Sequence, residues 1–258
     1  MVKLVSQKKI ITKLKSNGYV ILPSFFSKKI ISKMKEELLL AKNKKIKKNS
    51  VPRLNQYGTV IYNVQNKCPF IFFSISRSKV LTDILCSILN DKYYKQIKPN
   101  EPNYILRGMI GRNGIGKGLP QHIDSFIPYI SDHCFIINIT ISLDDSLKSN
   151  GCLEIVKKSH LSNKYAEKSK NYTHIETKSG DLLIWDSRLW HKTKDNFNLK
   201  DRWSIISSFS RWWIKPNFQI WKTLNKQMKK KINNHEKTIL GFRSTIPLDE
   251  SEKIDLKT

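Results

Sequence analysis

The chain of 258 residues is long enough to bury a sizeable core, and 39% hydrophobic with 10% aromatic residues is a globular composition. No run approaches the roughly 18 uninterrupted apolar residues of a membrane helix, and the basic N-terminus lacks the apolar core and cleavage site of a secretory signal; a soluble, cytoplasmic protein is expected. The 47 basic residues against 21 acidic ones give a formal charge of +26, most of the excess lying in the first 100 residues.

In chain order, residues 6–16 have helical spacing, and "NGYVILPSFF" follows as a turn and a short apolar strand. Ser27 is the expected N-cap of a helix through Ile30, Ile31, Met34 and Leu38. Lysines dominate to residue 49 as an exposed loop, and residues 76–90 carry a second stripe through Val80, Ile84 and Ile88. From residue 103 the texture changes to short apolar runs broken by turn signals: "NYILRGMIG", "HCFIINITISL", "GCLEIV", "THIET", "GDLLIWDS" and "RWSIISSFSRWW". Strands so spaced, with no long helices between them, indicate a mainly β core of sandwich or barrel type. Residues 216–258 return to helix-like sequence. The expectation is one domain over 1–258, with a helix-rich elaboration (1–100), a β core (103–215) and a helical tail (216–258).

The lysine-rich stretches "AKNKKIKKN" and "KQMKKKINN" carry no interleaved aromatic residues to stack bases, so nucleic-acid binding is not expected and the charge reads as solvated lysine. Cys68, Cys86, Cys134 and Cys152 are scattered singly and read as free thiols. "GRNGIGKG" lacks the GxxxxGK[ST] spacing and leads into no helix; it reads as a flexible flap rather than a phosphate loop.

"LPQHIDSF" places His122 and Asp124 two apart, hence on one face of an extended segment. His191 in "GDLLIWDSRLWHKTKDN" is the natural third ligand, near the end of a buried strand launched by a Gly-Asp turn. Two histidines and one carboxylate on a rigid β scaffold leave one side of an octahedral metal open, the facial arrangement of non-haem Fe(II) oxygenases. The open positions suit a chelating 2-oxoacid and O2. Arg202, at the start of the next strand with Ser204 on its face, can grip the far carboxylate of 2-oxoglutarate.

These motifs together resemble the phytanoyl-CoA dioxygenase family of Fe(II)/2-oxoglutarate oxygenases. "NGYVILPSFFSKKIISKMKEEL" is similar to the family's opening, and "ISLDDSLKSNGCLEIVKKSH" to its L-D-D … N-G-x-L … G-S-H segment, with Lys158 in place of the usual glycine. "GDLLIWDSRLWHKTKDN" resembles the segment of the distal histidine, and Arg202 stands at the place of the 2-oxoglutarate arginine. The resemblance spans roughly residues 6–215. It implies a double-stranded β-helix (jelly-roll, cupin-like) core, iron ligation by His122, Asp124 and His191, and a salt bridge from Arg202 to the C5 carboxylate. It also implies cosubstrate contacts from Thr140, with Asn138 on the same face by strand parity, and from Thr193 and Ser204; Tyr104 is a further candidate. Retention of Asp124 implies hydroxylation rather than halogenation, with release of succinate and CO2.

Arg107 and Arg112 are placed beside the cavity entrance as candidates for a substrate anion, and Trp190 near the iron as pocket wall. His160 is read as a structural hydrogen-bonding residue, and Asp144 and Asp145 as turn residues. The partner expected is a small, anionic molecule; the sequence specifies neither its identity nor an oligomeric state. A cupin-like binding protein without catalysis, the same triad with another metal or without 2-oxoglutarate, and a basic nucleic-acid-binding module are the alternatives.

Overall fold

A computed structural model describes residues 6–42, 58–93, 101–165, 171–198, 200–245 and 251. The expected lysine loop at 43–49 and Pro247 lie outside these residues. Helix α1 (Gln7–Asn17) runs into strand β1 (Tyr19–Leu22), and α2 (Lys28–Lys42) follows. Ser27 caps α2 as expected, its Oγ accepting from Ile30 N at 3.4 Å. Strand β2 (Thr59–Tyr62), two helices α3 (Val64–Lys67) and α4 (Pro69–Ser76), and α5 (Lys79–Leu89) complete the N-terminal part. The buried face of α5 is Leu81, Ile84, Leu85 and Leu89, one step round the helix from the stripe read in the sequence; Val80 and Ile88 sit at its edge.

Strands β3 (Tyr104–Asn113), β4 (Ile136–Ser142), β5 (Leu153–Ile155), β6 (Thr173–Ile175), β7 (Leu182–Asp186), β8 (His191–Thr193) and β9 (Trp203–Arg211) form the core. Three short helices follow: α6 (Ile220–Thr223), α7 (Lys226–Lys231) and α8 (Asn234–Ile239). One sheet has the order β1-β7-β4-β9-β3-β2 and the other β6-β5-β8. All pairs are antiparallel. The fold is a mainly β jelly roll with flanking helices.

Strand β4, "IINITIS", shows how the sequence builds two environments at once. Ile137, Ile139 and Ile141 join the apolar core under the helices, while Asn138, Thr140 and Ser142 face the other sheet. A period of two therefore writes a helix-packed face and a polar cavity face into one strand.

Lys158 explains the family's glycine. It sits at φ 58°, in the left-handed region, at the turn before Ser159–Leu161. A side chain there costs on the order of 1 kcal/mol. Lys158→Gly is expected to raise stability by about 0.5–1 kcal/mol in a urea titration, since relief of strain exceeds glycine's unfolded-state entropy; an unchanged or lower midpoint contradicts this.

Candidate metal centre and its cavity

His122 and His191 are joined by an isolated antiparallel bridge, each N–H donating to the other's carbonyl at 2.9 Å. Directly opposed residues carry side chains on the same face, and the two imidazole centroids lie 4.1 Å apart. Asp124 arrives on the same arm, its N–H donating to Ser187 O at 2.9 Å. Its Oδ1 is 3.6 Å from His122 Nε2, and one potential ligand atom from each of the three residues lies within 4.8 Å of the others.

The donor set fits a divalent metal. Nδ1 of His122 lies 2.8 Å from Pro120 O and Nδ1 of His191 lies 2.8 Å from Leu189 O. A carbonyl only accepts, so each Nδ1 carries the proton and each Nε2 keeps a lone pair for a metal. Burial pulls the His191 pKa down to about 4, against the opposing pull of Asp124, so this imidazole is neutral at physiological pH. Asn138 Nδ2 donates to Asp124 Oδ2 at 2.8 Å, fixing the carboxylate with Oδ1 towards the histidines. Trp185 packs edge-on against His191, centroids 4.5 Å apart, and its indole donates to Thr140 Oγ1 at 3.2 Å.

A cavity of about 360 Å³ extends from this group between the two sheets. Its walls include Ile110, Ile206 and Leu183, and its far end holds Arg202. Arg202 is 8% exposed and makes no salt bridge among the described residues. Its Nε is buried without a partner, and its contacts to Gly114 O (3.4 Å) and Ser146 Oγ (3.5 Å) are long. Arg112 lies beside it; burial foremost, then the neighbouring Arg202 charge, lowers the Arg112 pKa to about 10. An orphaned, desolvated guanidinium with a second one nearby is a receptor for a carboxylate. Gly114 makes this possible: a Cβ there would fall 2.0 Å from Arg202 Nη2.

Most sequence-derived site residues converge here. Thr140, Thr193 and Ser204 line the cavity with Arg112 and Arg202. Thr193 Oγ1 already accepts from Leu119 N at 2.8 Å. Asn138 holds Asp124 rather than reaching the cavity.

Four expectations are corrected. Tyr104 points to the helix side, packed against Phe209 with centroids 5.8 Å apart, because a β-bulge between Leu106 and Gly108 reverses the strand's phase. Trp190 turns away from the centre towards Tyr165, and the tryptophan on the metal side is Trp185. Arg107 and Arg112 do not flank one entrance: Arg112 is buried at the Arg202 end, and Arg107 lies near Asp124 and Phe126. The glycine-rich stretch is pinned, with Gly116 and Asn196 exchanging backbone hydrogen bonds at 2.8 Å and Gly118 N donating to Asp195 Oδ1.

The segment bearing His191 is set by a turn rather than by a continuous strand. Strand β7 ends at Asp186, whose carboxylate takes the Arg188 side chain bidentately (Nε 3.0 Å, Nη2 2.7 Å) and the Arg188 N–H at 2.9 Å. Arg188 Nη1 then donates to Ser131 O, tying this turn to the loop after Asp124. His160 is structural, as expected, lying 3.0 Å from Lys15 O. Asp145 accepts from Ser179 N, whereas Asp144 accepts from Trp203 N at the start of β9, pairs with Lys35 of α2 and lines the cavity, so its contacts tie elements together rather than serve a turn.

Two facing sheets with a histidine–aspartate–histidine group at one end of a cavity and a buried arginine at the other define a jelly-roll protein with a candidate metal centre. The chain belongs to the phytanoyl-CoA dioxygenase (PhyH) family, whose sequence model matches residues 14–204. No curated protein matches it by sequence. Among solved structures, HygX from Streptomyces hygroscopicus with nickel and 2-oxoglutarate bound is similar at 15% identity and a TM-score of 0.64, over 81% of this chain and 88% of that one. The non-heme alpha ketoglutarate dependent epimerase SnoN from nogalamycin biosynthesis is similar at 14% identity and a TM-score of 0.62, over 79% and 82%. AviO1 from Streptomyces viridochromogenes Tue57 is similar at 18% identity and a TM-score of 0.60, over 82% and 98%.

Asp186→Ala leaves the Arg188 charge buried and unmatched, and is expected to cost about 3–5 kcal/mol by urea denaturation. Adding Arg188→Met should recover most of that loss, and no recovery would show that the pair is not the source. Metal-free protein should also lose stability as pH falls from about 6.5 towards 4, because the unfolded chain protonates His191 before the folded one does. The loss by pH 5 is on the order of 2 kcal/mol, and His191→Gln should flatten that slope.

Proposed function

We propose that this protein is an Fe(II)- and 2-oxoglutarate-dependent oxygenase that hydroxylates a small, anionic molecule. The observation that carries this is the pairing of a two-histidine, one-carboxylate group with an unmatched buried arginine along one cavity. HygX with nickel and 2-oxoglutarate, and SnoN with Fe3+, alpha ketoglutarate and nogalamycin RO, support the choice of metal and cosubstrate. Bound iron(II) would supply oxidative decarboxylation: one atom of O2 enters succinate as CO2 leaves, and the other replaces a substrate C–H with C–OH.

The chain's own residues do the rest. His122 and His191 offer Nε2 and Asp124 offers Oδ1, leaving the other side of the metal for the cosubstrate and O2. Arg202 holds the C5 carboxylate, with Ser204 and Thr140 as hydrogen-bonding neighbours along the chain of the cosubstrate. Ile110, Leu183 and Ile206 exclude water from the span between the two ends. Asn138 holds Asp124 by a hydrogen bond and Trp185 packs against His191.

Succinate release with Fe(II), 2-oxoglutarate and O2 tests this reading. His122→Ala and Asp124→Ala should abolish it while leaving the thermal transition of the fold intact. Arg202→Met should raise the KM for 2-oxoglutarate about 100-fold, the loss of one buried charge-assisted pair. Wild-type turnover in any of the three variants refutes the assignment.

A further inference from the structure

The β-bulge that misplaces Tyr104 also brings Arg107 to the metal side of the sheet. The rows of the large sheet give the distance scale. Gly108, Ser208, Asn138 and Trp185 are paired across β3, β9, β4 and β7, and Asn138 is the residue that holds Asp124. Arg112, Ser204 and Ser142 form the row four residues further on, at the Arg202 end. Four residues of strand are about 13 Å, so the row with Gly108 is the metal row and the row with Arg112 is the cosubstrate-tail row. Arg107, just outside the metal row, is therefore at the opposite end of the site from Arg202.

Arg107 is 4% exposed, and its Nε is buried without a partner. Among the described residues its side chain makes one hydrogen bond, from Nη2 to Asn217 Oδ1 at 2.8 Å, and no salt bridge. Burial weakens its hold on the proton, and the Asp124 charge opposes this. Its cover is thin. The ring of Phe126 lies 5.5 Å from the guanidinium carbon, is 72% exposed, and sits at φ 68°, a strained conformation for an aromatic residue. Beside Arg107, a Cβ on Gly108 would have its nearest neighbours in Phe218 and Asn217, at 3.8 and 3.9 Å, ordinary contact distances, so these two side chains wall a bare glycine next to the guanidinium. A buried cation, a bare glycine beside it and an exposed aromatic cover, at or next to the metal row, have no counterpart in holding 2-oxoglutarate.

We propose that Arg107, with Asn217 beside it and Gly108 as the floor, is the subsite for an oxyanion on the primary substrate, whose apolar body lies against Phe126 and Phe218. This rests on the oxygenase reading of the cavity beyond the metal row and adds the chemical class of the molecule hydroxylated. The bidentate fork of Arg107 takes a carboxylate or a phosphate, and the oxyanion supplies the partner that Nε lacks.

The test uses full-length protein loaded with Ni(II) and saturated with 2-oxoglutarate, so that Arg202 is engaged. Phenylacetate, phenyl phosphate and neutral phenylacetamide are titrated with ligand-observed NMR. At least one anion should bind tenfold or more tightly than the amide, and the anion preferred identifies the oxyanion. Arg107→Met should bring that anion down to the level of the amide. Gly108→Leu should abolish binding of all three probes by filling the floor. Both variants should keep metal-dependent 2-oxoglutarate affinity within twofold of wild type, which also reports that they fold. An amide that binds as well as the anions, or anion affinity retained in Arg107→Met, overturns the proposal. A loss of Ni(II) affinity in Arg107→Met also overturns it, because Arg107 would then serve Asp124. If wild type takes up no 2-oxoglutarate with Ni(II), the oxygenase reading falls and this subsite with it; uptake without anion preference sinks the subsite alone.

Discussion

Two mutual hydrogen bonds between the backbones of His122 and His191 are the constraint on which the rest of the site depends. The residues are 69 apart in sequence, and a single antiparallel bridge is what brings their imidazoles within 4.1 Å. Ring orientation is then removed as a variable, because each Nδ1–H is spent on a carbonyl two residues back in its own chain segment. The same offset in both segments makes the two histidines near-equivalent donors. Asp124 joins them because its own N–H and that of Ser125 both donate to Ser187 O, in the turn that delivers His191. The centre is thus built from backbone bonds first, and its side chains follow.

Polarity along the cavity has an equally plain origin. Strand β9, "WSIISSFSR", puts Ser204, Ile206 and Ser208 on the cavity face, flanked by Thr140 and Ser142 from β4. Small and hydroxylated residues leave volume and hydrogen-bonding groups where isoleucines would have closed the sheets together. At one end stands Arg202, pressed against the bare backbone of Gly114. At the other stand the three metal-ligand candidates. The buried arginine and the candidate metal ligands are separated by rows of sheet, and that separation is fixed by register, not by loops.

Much of this was legible in sequence because the relevant signals are local. His-x-Asp needs only a period of two, and the alternation in "IINITIS" gives both faces of β4 directly. What escaped notice depends on phase changes that composition does not mark. Counting in twos from Arg112 puts Tyr104 on the cavity face and Arg107 off it; the bulge after Leu106 exchanges them. Likewise the turn Asp186–Leu189 resets the count, so that Trp185 rather than Trp190 meets His191. Strand β8 has three residues, too few for any periodicity, and α4, "PFIFFSIS", is apolar but for two serines and reads equally as strand or helix.

The basic excess looks different once residue type is separated from charge. Only eight of the 47 basic residues are arginines, yet five of them, Arg107, Arg112, Arg188, Arg202 and Arg211, are buried, while no lysine is buried among the described residues. A bias towards lysine in composition accounts for a solvated surface and for nothing inside. An arginine in the interior of such a chain marks a place where a planar, permanently charged fork is required. Arg188 meets that requirement with Asp186, and Arg211 with the Cys134 and Ile88 carbonyls. Arg202 and Arg107 meet it with no carboxylate among the described residues, one beyond each end of the same stretch of sheet. The charges that stand out are therefore not the +26 spread over the surface but these two guanidiniums, Arg202 at the far end of the cavity and Arg107 beside Asn138's row of the sheet, each placed by strand register relative to the histidine–aspartate group.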